Sequence, residues 1–301
     1  MKRKRTPNYK FLENHAWYVP GVGGMFGLLL WLLLGALVGN VLTLVFQAAL
    51  GQSAATEYGI LISYPVMFIP AMMYASAQSR KNRYDGVGIK LDSSHFGRRG
   101  GVIVALMVAA ATFAAAFCTD LLNSKMPPMP EWLETALKSM TAGKLWVNFL
   151  SVSIFAPLFE EWLCRGMVLR GLLNKARMKP VWAIIISALF FALIHLNPWQ
   201  AIPAFILGCL FGYVYYKTGS LKLTMLMHFT NNTVSLICGQ IDSLSEFDYW
   251  TEILPSGLYA VLFGVGLVLI GLVVLELSRI PAQSPEGNCD KVPSAFEEEI
   301  C

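Results

Sequence analysis

Eight apolar stretches divide the chain, at about 23–50, 58–77, 101–122, 145–169, 181–196, 199–216, 220–238 and 254–277. They cluster near the ~20 residues that an α-helix needs to cross a ~30 Å hydrocarbon core. Two carry small residues four apart, Gly35-Ala-Leu-Val-Gly39 and Gly208-Cys-Leu-Phe-Gly212, a spacing that lets helix backbones approach closely. The polar segments between them read as connections. A hinge over 51–57 joins the first two stretches, and Met126-Pro-Pro-Met-Pro130 precedes an amphipathic surface helix over 131–144. The fifth stretch stops at Asn197-Pro198, where proline disfavours further helix. An acidic loop over 242–252 precedes the last stretch. The pattern predicts an all-α, polytopic transmembrane helix bundle of about eight spans.

Composition agrees with this reading. Hydrophobic residues make up 55% of the 301 and charged residues 14%, with a mean hydropathy of +0.54, against about 25% charged residues in ordinary soluble domains. The net charge of +4 follows topology rather than forming a nucleic-acid patch. With the N-terminus cytoplasmic, 19 of the 23 Lys and Arg residues fall inside. Lys125, Lys138 and Lys144 fall outside, and Arg165 lies within a span. Both termini are therefore expected in the cytoplasm. The first run is too long for a signal-peptide core and reads as a retained span. Cys118, Cys164, Cys209 and Cys238 lie in or beside apolar runs and Cys289 and Cys301 in the tail, with no CxxC to suggest a metal or disulfide framework. No inverted repeat of the transporter kind is visible. The expected divisions are a cytoplasmic segment at 1–22, N-terminal helices at 23–144, a core at 145–238, the acidic loop and last helix at 239–278, and a disordered tail at 279–301.

The chemistry concentrates in that core. Glu160, Glu161 and Arg165 sit within the fourth stretch, where each ionised group costs at least ~2.5 kcal/mol near a bilayer centre. Glu161 and Arg165 are four apart and share a helix face, a spacing suited to a structural ion pair. Glu160 is rotated about 100° from Glu161 and addresses another neighbour. Phe191 and His195 repeat the spacing in the fifth stretch, and His228 and Asn232 in the seventh. At 1.5 Å per residue, Glu160 lies about 15 Å deep, His228 about 12 Å, Asn232 about 18 Å and His195 about 21 Å. All four are compatible with one buried polar cavity.

A desolvated glutamate can act as general base on water, with a histidine sharing that role and the second histidine and the asparagine donating to an oxyanion. Two histidines and a carboxylate (Glu160, His195, His228) would equally suffice for a divalent metal such as zinc, although no HExxH motif is present. A proton-coupled transporter or channel, or a non-catalytic scaffold or immunity protein, would use the same polar groups differently.

The three motifs together, Glu160-Glu161-x-x-x-Arg165, Phe191-x-x-x-His195 and His228-x-x-x-Asn232, in that order and on separate spans, resemble the CAAX-protease and bacteriocin-processing family of intramembrane proteases (CPBP or Abi). The resemblance covers about 145–235. It implies an intramembrane endopeptidase acting on a peptide or a protein's C-terminal segment, by a metal-assisted or a metal-free glutamate mechanism. In this chain it implies that Glu160 activates water with help from His195, that His228 and Asn232 complete the site, and that Glu161 and Arg165 are mainly structural. The lipid bilayer is the implied surrounding, a bacterial inner membrane the implied location, and peptide maturation or bacteriocin self-immunity the implied setting. The chain's own Glu298-Glu-Ile-Cys301 is no CaaX box.

Overall fold

The computed structural model describes residues 13–84, 86, 88–140, 143–245, 247, 249–281 and 291–292. The basic run Met1-Lys-Arg-Lys-Arg5, Cys289 and Cys301 lie outside the described residues. Eight helices occupy the eight apolar stretches, with an amphipathic ninth between the third and fourth. In chain order they are α1 (Val22–Leu50), α2 (Gln52–Asn82), α3 (Gly101–Asn123), the amphipathic α4 (Glu131–Met140), α5 (Leu145–Asn174), α6 (Pro180–Leu193), α7 (Pro198–Thr218), α8 (Leu221–Cys238) and α9 (Ser256–Ser278). Six of them, α1, α2, α3, α5, α7 and α9, are long and apolar enough to cross a membrane by length and composition, and α6 is a shorter apolar helix. The chain is an all-α, multi-pass integral membrane protein.

Three expectations are corrected in detail. The 51–57 hinge contracts to Gly51, whose φ of 88° breaks the chain in one residue. Helix α2 resumes at Gln52, so residues 52–57 are helical. The fifth helix ends at Leu193, short of His195. The tail expected to be disordered contributes one described element. Lys291–Val292 (β2) pairs antiparallel with Gly88–Ile89 (β1), the rest of 282–301 lying outside the described residues.

Close backbone approach explains the α1–α2 hairpin. A Cβ on Gly35 would lie 2.1 Å from the Met67 carbonyl oxygen, and one on Gly39 would lie 2.8 Å from that of Ser63. Only hydrogen side chains permit this crossing, which is how small-xxx-small spacing stabilises helices that have no water to escape from. Gly208 and Gly212 do the same for α7 on α6, their Cβ positions falling 3.1 Å from Ala188 and from Ile184. Helices α3, α7, α8 and α9 close a second layer around Val104, Val108, Phe211, Met227 and Val273.

Helix α5 runs between these layers and holds fully buried Trp162, Leu163, Cys164, Met167 and Leu169. Two wide π-type stretches, Phe149–Phe155 and Trp162–Leu169, flank the six α-helical residues Ala156–Glu161. Such turns recur where a helix must redirect a side chain. At its other end, fully buried Arg170 donates to the carbonyls of Gly166 (2.7 Å), Tyr18 (2.6 Å), His15 (3.3 Å) and Ile89. One guanidinium thereby ties α5 to the segment before α1 and to β1.

Candidate active site

Local backbone chemistry sets the site. In a π-type register each N–H bonds five residues back, so residue 157 would bond Val152. Residue 157 is proline and has no N–H. The freed Val152 carbonyl instead accepts Asn232 Nδ2 from α8 at 2.8 Å. Asn231 Nδ2 donates to Asn232 Oδ1 (3.1 Å) and fixes which way that amide faces. Pro157 and Asn232 together lock α8 to α5 one turn from the two glutamates.

Glu161 and Arg165 are fully buried and joined at 2.7 Å. Arg165 also donates to the Gly208 carbonyl (2.9 Å) and packs its guanidinium over the rings of Phe191 (4.7 Å) and Phe211 (5.3 Å). Glu161 carries a second partner, because its Oε1 lies 3.0 Å from His228 Nδ1. An ionised carboxylate only accepts, so Nδ1 holds the proton and donates. That bond presents the other ring nitrogen, Nε2, to Glu160, whose Oε2 lies 4.0 Å away. Glu160 Oε2 is buried with no hydrogen-bond partner. Its Oε1 accepts the hydroxyl of Tyr64 from α2.

His195 is placed differently from the sequence-based expectation. Helix α6 is 14 residues long, about 21 Å, and so ends within the depth of a ~30 Å core. His195 follows in the turn, its N–H reaching back to Ala192 (3.2 Å). Its Nδ1 lies 2.8 Å from the Phe191 carbonyl, a helix-end acceptor that the backbone has abandoned. A carbonyl accepts, so Nδ1 bears the proton and Nε2 is left open. Asn197 completes the turn, donating to the His195 carbonyl (2.9 Å) while its Oδ1 caps α7 at Gln200 N (2.9 Å). Leu196 takes the left-handed φ of 57° that reverses the chain. Just past this turn, Trp199 Nε1 donates to the Pro127 carbonyl (2.9 Å) in the α3–α4 connection.

Five of the expected residues thus converge by direct contact, Glu160, Glu161, Arg165, Phe191 and His228. Among the described residues no hydrogen bond or ion pair joins His195 to Glu160. The two histidines instead flank one ring, Phe191 lying edge-on to His195 at 5.0 Å and to His228 at 5.4 Å. Asn232 spends one amide hydrogen on Val152 and keeps the second. No three His, Cys, Asp or Glu side chains among the described residues gather as a metal-binding set.

Sequence reasoning missed Tyr64, Asn197 and the part played by Pro157. The signals were a phenol inside a span, an asparagine before a helix-starting proline, and a proline three residues before Glu160.

Comparison with known proteins bears on the same segment. Residues 142–234 match the family described as type II CAAX prenyl endopeptidase, Rce1-like. A curated relative, the membrane-embedded CAAX protease MroQ of Staphylococcus aureus, is 32% identical over 96 residues, which span 30% of this chain and 38% of the relative's length. No solved structure matches the chain.

Proposed function

Because residues 142–234 match the Rce1-like CAAX prenyl endopeptidase family and resemble a membrane-embedded CAAX protease, we propose that this protein is an intramembrane peptidase that hydrolyses a peptide bond with water activated by Glu160. One observation carries the reading. A buried carboxylate oxygen, Glu160 Oε2, has no hydrogen-bond partner and faces His228 Nε2 across 4.0 Å. A water within ~2.8 Å of both atoms would be held at an angle of about 90°. Both Oε2 and Nε2 have a lone pair for it, since Glu161 holds the proton on Nδ1.

In the proposed reaction the water oxygen attacks the scissile carbonyl carbon as its proton passes to Glu160. The oxyanion is met by the second amide hydrogen of Asn232, whose orientation Val152 and Asn231 set. Collapse breaks the C–N bond, Glu160 returns its proton to the leaving nitrogen, and the carboxylic acid and amine so formed exchange one proton to leave as carboxylate and ammonium. His195, with Nε2 open on the partly exposed side, assists at the leaving group. Glu161 and Arg165 act beneath, orienting His228 and cancelling each other's charge. Every step uses side chains, and none is routed through a metal.

The substrate class is a peptide or a protein's C-terminal segment reaching the site from the membrane, and the expected setting is a bacterial cell membrane with both termini inside. The test compares the peptides and membrane proteomes of cells producing the wild-type protein and Glu160→Gln. Cleavage products present only with wild type, at equal levels of inserted protein, are expected. Undiminished cleavage by Glu160→Gln would remove Glu160 from the chemistry.

A further inference from the structure

The residue that holds Glu160 in place comes from outside the family-like segment. Tyr64 lies in α2, before residues 142–234, and its hydroxyl donates to Glu160 Oε1. A carboxylate on a glutamate has three rotatable bonds to settle, and a single charge-assisted hydrogen bond is what limits them here. Tyr64 is itself braced. Its ring packs on Phe68 at 5.6 Å, and Phe68 stacks on Phe159 at 5.2 Å with 15° between the planes. Phe159 directly precedes Glu160, and Phe68 is fully buried. The aromatic stack therefore fixes the phenol relative to the backbone that carries the carboxylate. With Oε1 occupied, Oε2 is the oxygen left facing His228.

Resting on the reading of Glu160 as the water-activating base, we infer that Tyr64 is a positioning residue. It engages one carboxylate oxygen so that the other meets water and His228 in a single orientation. The N-terminal helices are then part of the working site and not only its support, since the hydroxyl that sets the base is theirs.

A displacement near 1 Å at a reacting group costs about 10²-fold, so Tyr64→Phe is expected to lower kcat by about 10- to 100-fold with KM changed by less than about twofold. The substrate is a quenched peptide spanning a cleavage site found in the membrane comparison above, and the enzyme is the full chain in proteoliposomes. The same substitution is made in Glu160→Asp, whose shorter side chain no longer reaches the phenol. There Tyr64→Phe should change kcat by less than about twofold. A second cycle needs no substrate: Tyr64→Phe lowers the Tm in detergent in the wild type but not in Glu160→Leu. Wild-type cleavage with an unimpaired Tyr64→Phe, or equal losses in both backgrounds, overturns this inference alone. Absence of any wild-type cleavage overturns the peptidase reading and this one with it.

Discussion

Removal of Arg165 tests the architecture most directly. The guanidinium is fully buried, 2.7 Å from an equally buried Glu161, bonded to the Gly208 carbonyl and stacked on Phe191 and Phe211. Arg165→Met keeps much of the volume and the ring contacts but leaves the Glu161 carboxylate without its countercharge. Breaking a buried pair by deleting one partner costs about 3–5 kcal/mol, and the orphaned Gly208 carbonyl falls within that figure. We expect a loss of about 4 kcal/mol in reversible unfolding by SDS titration. Adding Glu161→Gln removes the stranded charge while its side-chain carbonyl still accepts His228 Nδ1–H. The double variant should therefore be more stable than Arg165→Met by about 2 kcal/mol and should retain cleavage within about tenfold. Arg165→Met within about 1 kcal/mol of wild type, or strictly additive losses in the double variant, would refute the assignment of this pair as a mutually neutralising unit that orients His228.

Three further outcomes follow from the geometry. Gly35→Val places a Cβ against the Met67 carbonyl and must part α1 from α2, so thermal unfolding in detergent should show a loss of at least about 2 kcal/mol; an unchanged Tm would contradict that crossing. Arg170→Met removes the guanidinium donor from the carbonyls of His15, Tyr18 and Ile89, costing about 2–5 kcal/mol, and limited proteolysis should newly cut between residues 13 and 21. Exhaustive chelation should leave cleavage of the quenched peptide intact, because the proposed water activation uses Glu160 and His228 alone; loss of activity that zinc restores would return a metal to the mechanism.

Much of this architecture is written in one dimension. Apolar runs of bilayer length have one way to satisfy their backbone in lipid, and so the helices fall where hydropathy places them. The Gly35/Gly39 and Gly208/Gly212 spacings announce close crossings for the same local reason. Within α5, the pairing of Glu161 with Arg165 follows from a four-residue separation on one helix. What a residue meets on another helix has no such local signature. Arg170 looks like a loop charge beside Lys175, yet it is the buried knot of the N-terminal segment, because carbonyls 81 to 155 residues away in sequence converge on it.

The same limit applies at the site. The sequence by itself determined which groups are costly to bury, Glu160, Glu161, Arg165, His228 and Asn232, and that the fourth and seventh apolar stretches carry them. Only the tertiary structure decided their partners. It gave His228 rather than His195 to Glu160, because α6 ends two residues before His195 and its last turn captures that ring on the Phe191 carbonyl. It also gave Glu161 a second task, and it brought Tyr64 from α2 to the carboxylate. Periodicity fixes an angle around one helix axis, whereas hydrogen-bond partners depend on how neighbouring axes are placed, and that is settled by packing between segments far apart in the chain.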